Sequence, residues 1–261
     1  MTTSFAHPPC ERAYEAIRTL PTTSPAFDRT ALLQPRFRLY RDERVEVYYA
    51  PMDWFNPHAK VVIVGITPGW RQMEVAYRTA RAAMSSGASR AEALRRAKEA
   101  ARFVGPMRRN LIAMLDALGL DKVLGLRTAA ELFGERASLL HSTSLLRYPV
   151  FVRGKNYTGY NPRAMSHRFL RSMVERLFAP ELVRLQDKLV IPLGRVVDEV
   201  VSSHISGSAA VLSGFPHPSG ANGHRHRAFK ANRAGLVEVI ERWACSAGPL
   251  YPGTRKPRPS R

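Results

Sequence analysis

The stretch Lys60-Val61-Val62-Ile63-Val64-Gly65-Ile66-Thr67-Pro68-Gly69-Trp70 decides how this chain folds. Its first half is a nearly continuous β-branched run. Such a run marks a strand covered on both faces, because a half-exposed strand alternates apolar and polar positions. Its second half, Gly65 to Trp70, is a tight turn set by Pro68 and Gly69 that exposes Thr67 and neighbouring amides. Loops at the carboxyl ends of strands bind ligands in open α/β sheets. The turn lacks Gly-Lys-Ser/Thr and is too short to cradle a phosphate chain, which excludes a P-loop nucleoside triphosphatase.

A later segment repeats this form. Val211-Leu212-Ser213-Gly214-Phe215 runs into His217-Pro218-Ser219-Gly220-Ala221-Asn222, again an apolar strand followed by a rigid polar loop. Val45 to Ala50 alternates and predicts an edge strand, and Leu139 to Leu146 and Leu189 to Leu193 predict two buried strands. Residues 71–101 predict two helices broken at Ser85-Ser86-Gly87. The second opens on Ser89 with Glu92 three residues later, a capping box. A third helix follows Gly105-Pro106, carries Leu111, Leu115 and Leu118 on one side, and ends at Gly119. Ala164 to Leu185 predicts a helix interrupted by Pro180; Gly194 to His204 and Phe229 to Trp243 predict two more. Strands alternating with helices give an α/β fold, with a mostly parallel sheet and helices on both faces. The chain divides into an N-terminal arm over 1–35, a domain over 36–245 with a helical insertion at 71–101, and a basic disordered tail over 246–261.

The charge narrows the partners. Forty Lys and Arg face 21 Asp and Glu, a formal net charge of +19. That balance points to a polyanion, with nucleic acid ahead of a membrane surface. A generally Arg-rich composition is the plainer reading. Cys10 and Cys245 are the only cysteines, too few for a disulfide framework, a four-thiolate zinc site or a cysteine-ligated iron–sulfur cluster. No run reaches the length of a membrane span and the N-terminus lacks the apolar core of a signal peptide, so a cytoplasmic location is expected.

Together, in this order, the Gly65–Trp70 and His217-Pro-Ser segments resemble the uracil-DNA glycosylase superfamily. Its two signature motifs follow the first and last strands of a four-stranded parallel sheet. Phe103-Val104-Gly105, with Arg109 and Leu111 after it, looks like the segment carrying the base-stacking aromatic in the thermophile-type branch. Leu139-Leu140-His141-Ser142 falls where the superfamily reads the base edge. The order from His141 to His217, including Gly194 after an apolar strand and the Asn161-Pro162 loop, is similar to the single-strand-selective monofunctional branch. The resemblance spans roughly residues 55–243 and implies a three-layer α/β/α domain around a central four-stranded, mostly parallel sheet.

It also implies a monofunctional glycosylase that flips a uracil-like or 5-modified pyrimidine out of DNA, duplex or single-stranded, and hydrolyses its N-glycosidic bond. His217 then stabilises the departing base, Thr67 positions water, and Glu74 is a candidate for the missing carboxylate. Gly65, Ile66 and Gly69 line the base with Phe103 as stacking platform, and His141 and Ser142 read its edge. Ser219, Asn222, Arg225 and Arg227 hold phosphates or a wedge loop. No cofactor is implied, His224 and His226 are read as loop histidines rather than metal ligands, and a monomer is expected.

The departures are specific. Active relatives carry Asp or Asn at Thr67, and another branch has Glu at Ile66. Loss of a general base typically costs about 10²–10⁴-fold in rate. Glu74 reads equally as an acid favoured near a helix N-terminus. Gly69 replaces a Tyr that blocks the pyrimidine C5 position, which opens the expectation of 5-substituted bases and of defence against modified foreign DNA alongside repair. A catalytically inactive DNA binder on the same fold is the main rival. An unrelated α/β hydrolase ranks lower, because no acidic cluster for calcium or magnesium is evident.

Overall fold

The structure, a computed structural model, describes residues 8–22, 26–205, 209–220 and 222–246. Parts of the expected arm, Ala221 and the expected tail beyond Ser246 lie outside these residues. The chain is an α/β protein forming two compact units. One comprises Met1–Phe55, Gly65–Val104 and Thr143–Glu181; the other comprises Asn56–Val64, Gly105–Ser142 and Leu182–Arg261. The strands among the described residues are β1 (Arg38–Arg41), β2 (Val45–Tyr48), β3 (Val61–Gly65), β4 (Leu140–Ser144), β5 (Val150–Val152), β6 (Lys155–Asn156) and β7 (Leu189–Pro192).

A parallel sheet in the order β4-β3-β7 organises the second unit. β3 is its middle strand, and Val61, Val62, Ile63 and Val64 are all 0% exposed. This is what the β-branched run predicts, since a central strand covered on both faces tolerates no polar position. Val61 to Val64 align with Leu189 to Pro192 in parallel register. The predicted last strand is shorter than expected: Val211 makes a single parallel bridge to Val190. Gly214 at φ +81, with its amide and the Ser213 hydroxyl both donating to Asp198 Oδ2 at 2.8 Å, turns the chain out of strand geometry there.

The first unit carries a separate antiparallel sheet in the order β1-β2-β5-β6. β2 is therefore an inner strand and not the edge strand predicted from its alternation, since it pairs with β1 on one side and β5 on the other. Its partners are short, and the β5 pairing is long-range, so no local signal announces them. The turn joining β5 to β6 is Arg153-Gly154 with φ of 49° and 72°, the both-positive arrangement of a type I′ hairpin.

The helices Trp70–Ser85 and Arg90–Ala101 also belong to this unit and pack on each other. Small residues at helical spacing, Ala76, Ala80 and Ala83 on one and Ala93, Ala97 and Ala101 on the other, are all buried and permit close approach. Most of the basic side chains on these helices have partners. Arg95 and Arg96 bond Glu92 at 2.8 and 2.6 Å, holding its carboxyl down at about 2, and Arg90 pairs with Glu11 of the arm. Arg81 donates to Leu20 O at 2.6 Å, and buried Tyr14, Ile17 and Leu20 fasten the arm to its unit.

Residues 164–183 form a 3₁₀ turn, a helical turn and a π-helical turn at Val174–Phe178 before Ala179–Val183. Pro180 accounts for the widening, since it lacks an N–H and its ring crowds the carbonyl four residues earlier. Ser89 Oγ accepts the Glu92 amide at 3.3 Å and caps the Arg90–Ala101 helix. Ser89→Ala is expected to lower stability by about 1 kcal/mol and Ser89→Gly by only a few tenths. Urea denaturation of the two variants distinguishes a lost cap from lost packing.

Candidate active site

In the first unit, the Gly65–Trp70 loop is shaped by its neighbours. Thr67 Oγ1 donates to Tyr148 O at 2.9 Å and accepts from Val150 N at 3.2 Å, so the hydroxyl pins two backbone segments together. Gln72 accepts the Gly69 amide at 3.1 Å, one half of a capping box whose other half a glycine has no side chain to make. Trp70 N donates to Asn156 Oδ1 at 3.0 Å. A Cβ on Gly69 would lie 3.3 Å from Asn156 Nδ2, so the space expected to admit a 5-substituent is partly filled by that amide. Glu74 is 8% exposed, and its carboxylate accepts the Phe27 amide at 3.4 Å and bonds Arg78 at 2.9 Å. It anchors the chain entering the arm, an environment closer to the helix-acid reading than to a free base.

Phe103 is 4% exposed and adopts φ +48. A bulky side chain in left-handed backbone costs about 1–2 kcal/mol, and such strain concentrates where a residue is held for a purpose. Its ring edge lies 3.5 Å from the position a Gly65 Cβ would take, beside Ser144 Oγ. Phe103 and Gly65 are thus brought together within the first unit. Ile66 is half-buried there, its carbonyl accepting Leu146 N at 2.9 Å.

In the second unit, the His217 loop is braced on its carbonyls from 217 to 219. Asn222 donates to His217 O at 3.2 Å, Asn110 to Pro218 O at 2.9 Å, and Arg225 to Ser219 O at 2.8 Å. Asn222 and Arg225, expected on DNA, therefore hold the loop's shape, while Arg227 is exposed. Ser219 N donates to His217 Nδ1 at 3.2 Å. With that nitrogen accepting, the ring hydrogen of the neutral imidazole sits on Nε2, a donor without a hydrogen-bond partner among the described residues. Burial pushes the His217 pKa below its usual 6.5, favouring this neutral form.

Gly194 makes the loop's position possible. It sits at φ +87 and ψ 166, a region essentially restricted to glycine, and an added Cβ would fall 3.0 Å from His217 Cβ. Its amide donates to Phe215 O at 2.9 Å. His141 and Ser142 lie in the same unit but inside it. His141 is 0% exposed, with Nδ1 accepting the Asn56 amide at 3.3 Å, and Ser142 is 7% exposed. As folded, His141 supports the segment at Asn56, and both side chains are buried.

Sequence reasoning missed Asn110, Asn156 and Lys98. The first two are lone amides with no local pattern. Lys98, on a visibly basic helix, is 5% exposed, donates to Trp54 O at 2.6 Å and is pushed down to about 8 by burial. Its helical register with Ala97 and Ala101 was the only clue.

The fold and loops define an α/β protein with a braced histidine loop at the end of a parallel-sheet connection. The chain is 40% identical over 236 residues to the uncharacterized protein YoxB of Bacillus subtilis (strain 168), covering 88% of this chain and 91% of that protein. It belongs to the YoxB family. No family model matches the chain, and no solved structure matches it. No helix among the described residues is long and apolar enough to cross a membrane.

These environments have three measurable consequences. A nitrogen-detected titration should find His217 as the Nε2–H tautomer with a midpoint below 6.5. Gly194→Ala should cost about 1–3 kcal/mol and shift the His217 ring resonances, whereas a change in neither would show that the packing there is slack. Lys98 binds fewer protons folded than unfolded between about 8 and its usual 10.5, so its contribution makes stability rise with pH from about 8 upward. Denaturant midpoints taken from pH 8 to about 9.5, below tyrosine ionisation, should rise more steeply in wild type than in Lys98→Met.

Proposed function

We propose that this chain is a monofunctional DNA glycosylase with the uracil-DNA glycosylase type of fold, the Val211 bridge marking the fourth position of its central sheet. The single observation that carries this reading is the His217 loop. It offers a neutral imidazole with Nδ1 engaged by the Ser219 amide, Nε2–H left as donor, and every loop carbonyl from 217 to 219 occupied.

Hydrolysis of an N-glycosidic bond leaves the bonding electron pair on the base, where a pyrimidine delocalises it onto a carbonyl oxygen. A fixed donor about 2.7–3.1 Å from such an oxygen is worth roughly 10²–10³ in rate. In this reading His217 Nε2–H is that donor. A neutral donor holds the base anion without first protonating it. Water adds to the sugar carbon as the bond breaks and gives its proton to solvent. Within the first unit, Phe103 is strained and set against Gly65, the disposition of a ring that stacks on a base. Arg227, solvent-exposed, is left for phosphates.

One observation favours the rival, a non-catalytic DNA binder. The Thr67 hydroxyl and the Glu74 carboxylate are both committed to protein partners, so neither stands ready as a base. The test is incubation with duplex and single-stranded oligonucleotides carrying uracil, 5-hydroxymethyluracil, thymine opposite guanine or glucosylated hydroxymethylcytosine, followed by alkaline cleavage of abasic sites. Excision of one of these, lowered about 10²–10³-fold by His217→Ala and little changed by Thr67→Ala, is the expected result. Salt-sensitive binding without strand breaks on any substrate favours the binder, and excision indifferent to His217→Ala removes the site.

A further inference from the structure

The antiparallel sheet of the first unit places two hairpin tips at one end. Val45 at the start of β2 pairs with Val152 at the end of β5, so the turn before β2 and the turn after β5 lie side by side. The Arg153 amide donates to Arg44 O at 3.2 Å across them. Arg44, Arg153 and Lys155 are all exposed at these tips, and no ion pair involves them among the described residues. Arg29 closes the group. Its guanidinium donates to Gly154 O at 2.8 Å and sits 5.0 Å from the Trp70 ring and 5.4 Å from the Phe151 ring, which fixes a cation that would otherwise swing.

Two features separate this cluster from an ordinary solvated face. The nearby acid Asp42 is occupied: it accepts the Arg44 and Val45 amides at 2.8 Å each, and Tyr40 and His167 bond its other oxygen. Glu43 is the exposed acid that remains in the turn, and Glu46 faces Arg38 and Arg41. The second feature is Arg153 itself, at φ +49 in a turn position that Asn or Gly would fill at lower cost. A strained Arg points to a use for its side chain.

We propose that Arg44, Arg153 and Lys155, backed by Arg29, form a DNA-phosphate contact surface additional to the His217 loop. The charge density suits a polyanion with closely spaced phosphates. A membrane is disfavoured because insertion needs exposed apolar side chains, and the large ones among the described residues are Tyr160 and Val183, neither on these tips. The inference shares with the proposed function only its DNA partner and does not require excision.

The test is fluorescence anisotropy of the full chain on a labelled duplex of about 20 base pairs across a salt series, with wild type and the triple variant Arg44→Glu, Arg153→Asn, Lys155→Glu. Each phosphate that the protein no longer neutralises should lower the slope of log K against log salt by about 0.9, so the triple variant should lose between about 2 and 3 and bind at least about tenfold more weakly. Arg153→Asn alone should keep or raise the melting temperature, which separates loss of phosphate binding from misfolding. Arg127→Glu, at a side chain 80% exposed and paired with Glu131, should leave binding within about twofold. An unchanged affinity and slope in the folded triple variant overturns the proposal, as does binding to phosphatidylserine vesicles in preference to the duplex. Weakened binding by the triple variant, with no excision by wild type, keeps this surface and removes the glycosylase reading.

Discussion

The constraint on which the second unit depends is the complete enclosure of β3. With Val61 to Val64 fully buried and the strand paired on both sides, its residues can serve nothing but packing and hydrogen bonding. A strand in that position leaves all chemistry to the loop at its carboxyl end. The adjacent connections from β7 and from the Val211 bridge obey the same logic. Each leaves the sheet through a glycine with positive φ, Gly194 after β7 and Gly214 after Val211. Gly194 allows the His217 backbone to approach closely, which sets where the histidine loop can stand, and Gly214 makes room for the Asn232 side chain.

The loop shows how bracing differs from chemistry. Asn110, Asn222 and Arg225 are polar and near a candidate catalytic group, yet each spends its side chain on loop carbonyls. Buried carbonyls left without donors would cost about 1–3 kcal/mol each, so these side chains are needed to hold the loop in place. His217 differs because its Nδ1 is engaged and its Nε2 has no hydrogen-bond partner among the described residues. The same distinction separates Glu74, committed to Arg78 and the arm, from an acid free to titrate in catalysis.

Charge behaves similarly. A net charge of +19 suggests a basic surface in general, but the cations are unequal. Several on the Trp70–Ser85 and Arg90–Ala101 helices are tied to Glu92, Glu99, Glu74 or the arm, and Lys98 is inside. Those at the hairpin tips make no ion pair among the described residues, since Asp42 in the same turn is taken up by the Arg44 and Val45 amides, Tyr40 and His167.

Local signals carried much of this. The β-branched run fixed β3, Ser89 and Gly105-Pro106 fixed helix starts, and His217-Pro-Ser marked a polar loop after an apolar segment, because each depends on residues within a few positions. The sequence could not reveal that β2 is an inner strand, that Asn156 fills the space beside Gly69, or that His141 is sealed inside. It also could not separate Arg225, which braces, from Arg227, which faces solvent. The first three rest on partners distant along the chain, 85 positions in the case of His141 and Asn56, whereas Arg225 braces carbonyls 6 and 7 positions away and is fixed by the local fold of the loop. The amino-acid order by itself determined which segments are strands, helices and turns. Only the tertiary structure decided which polar groups are consumed in holding those segments and which remain for a ligand, because a hydrogen-bonding group's availability depends on what packs against it.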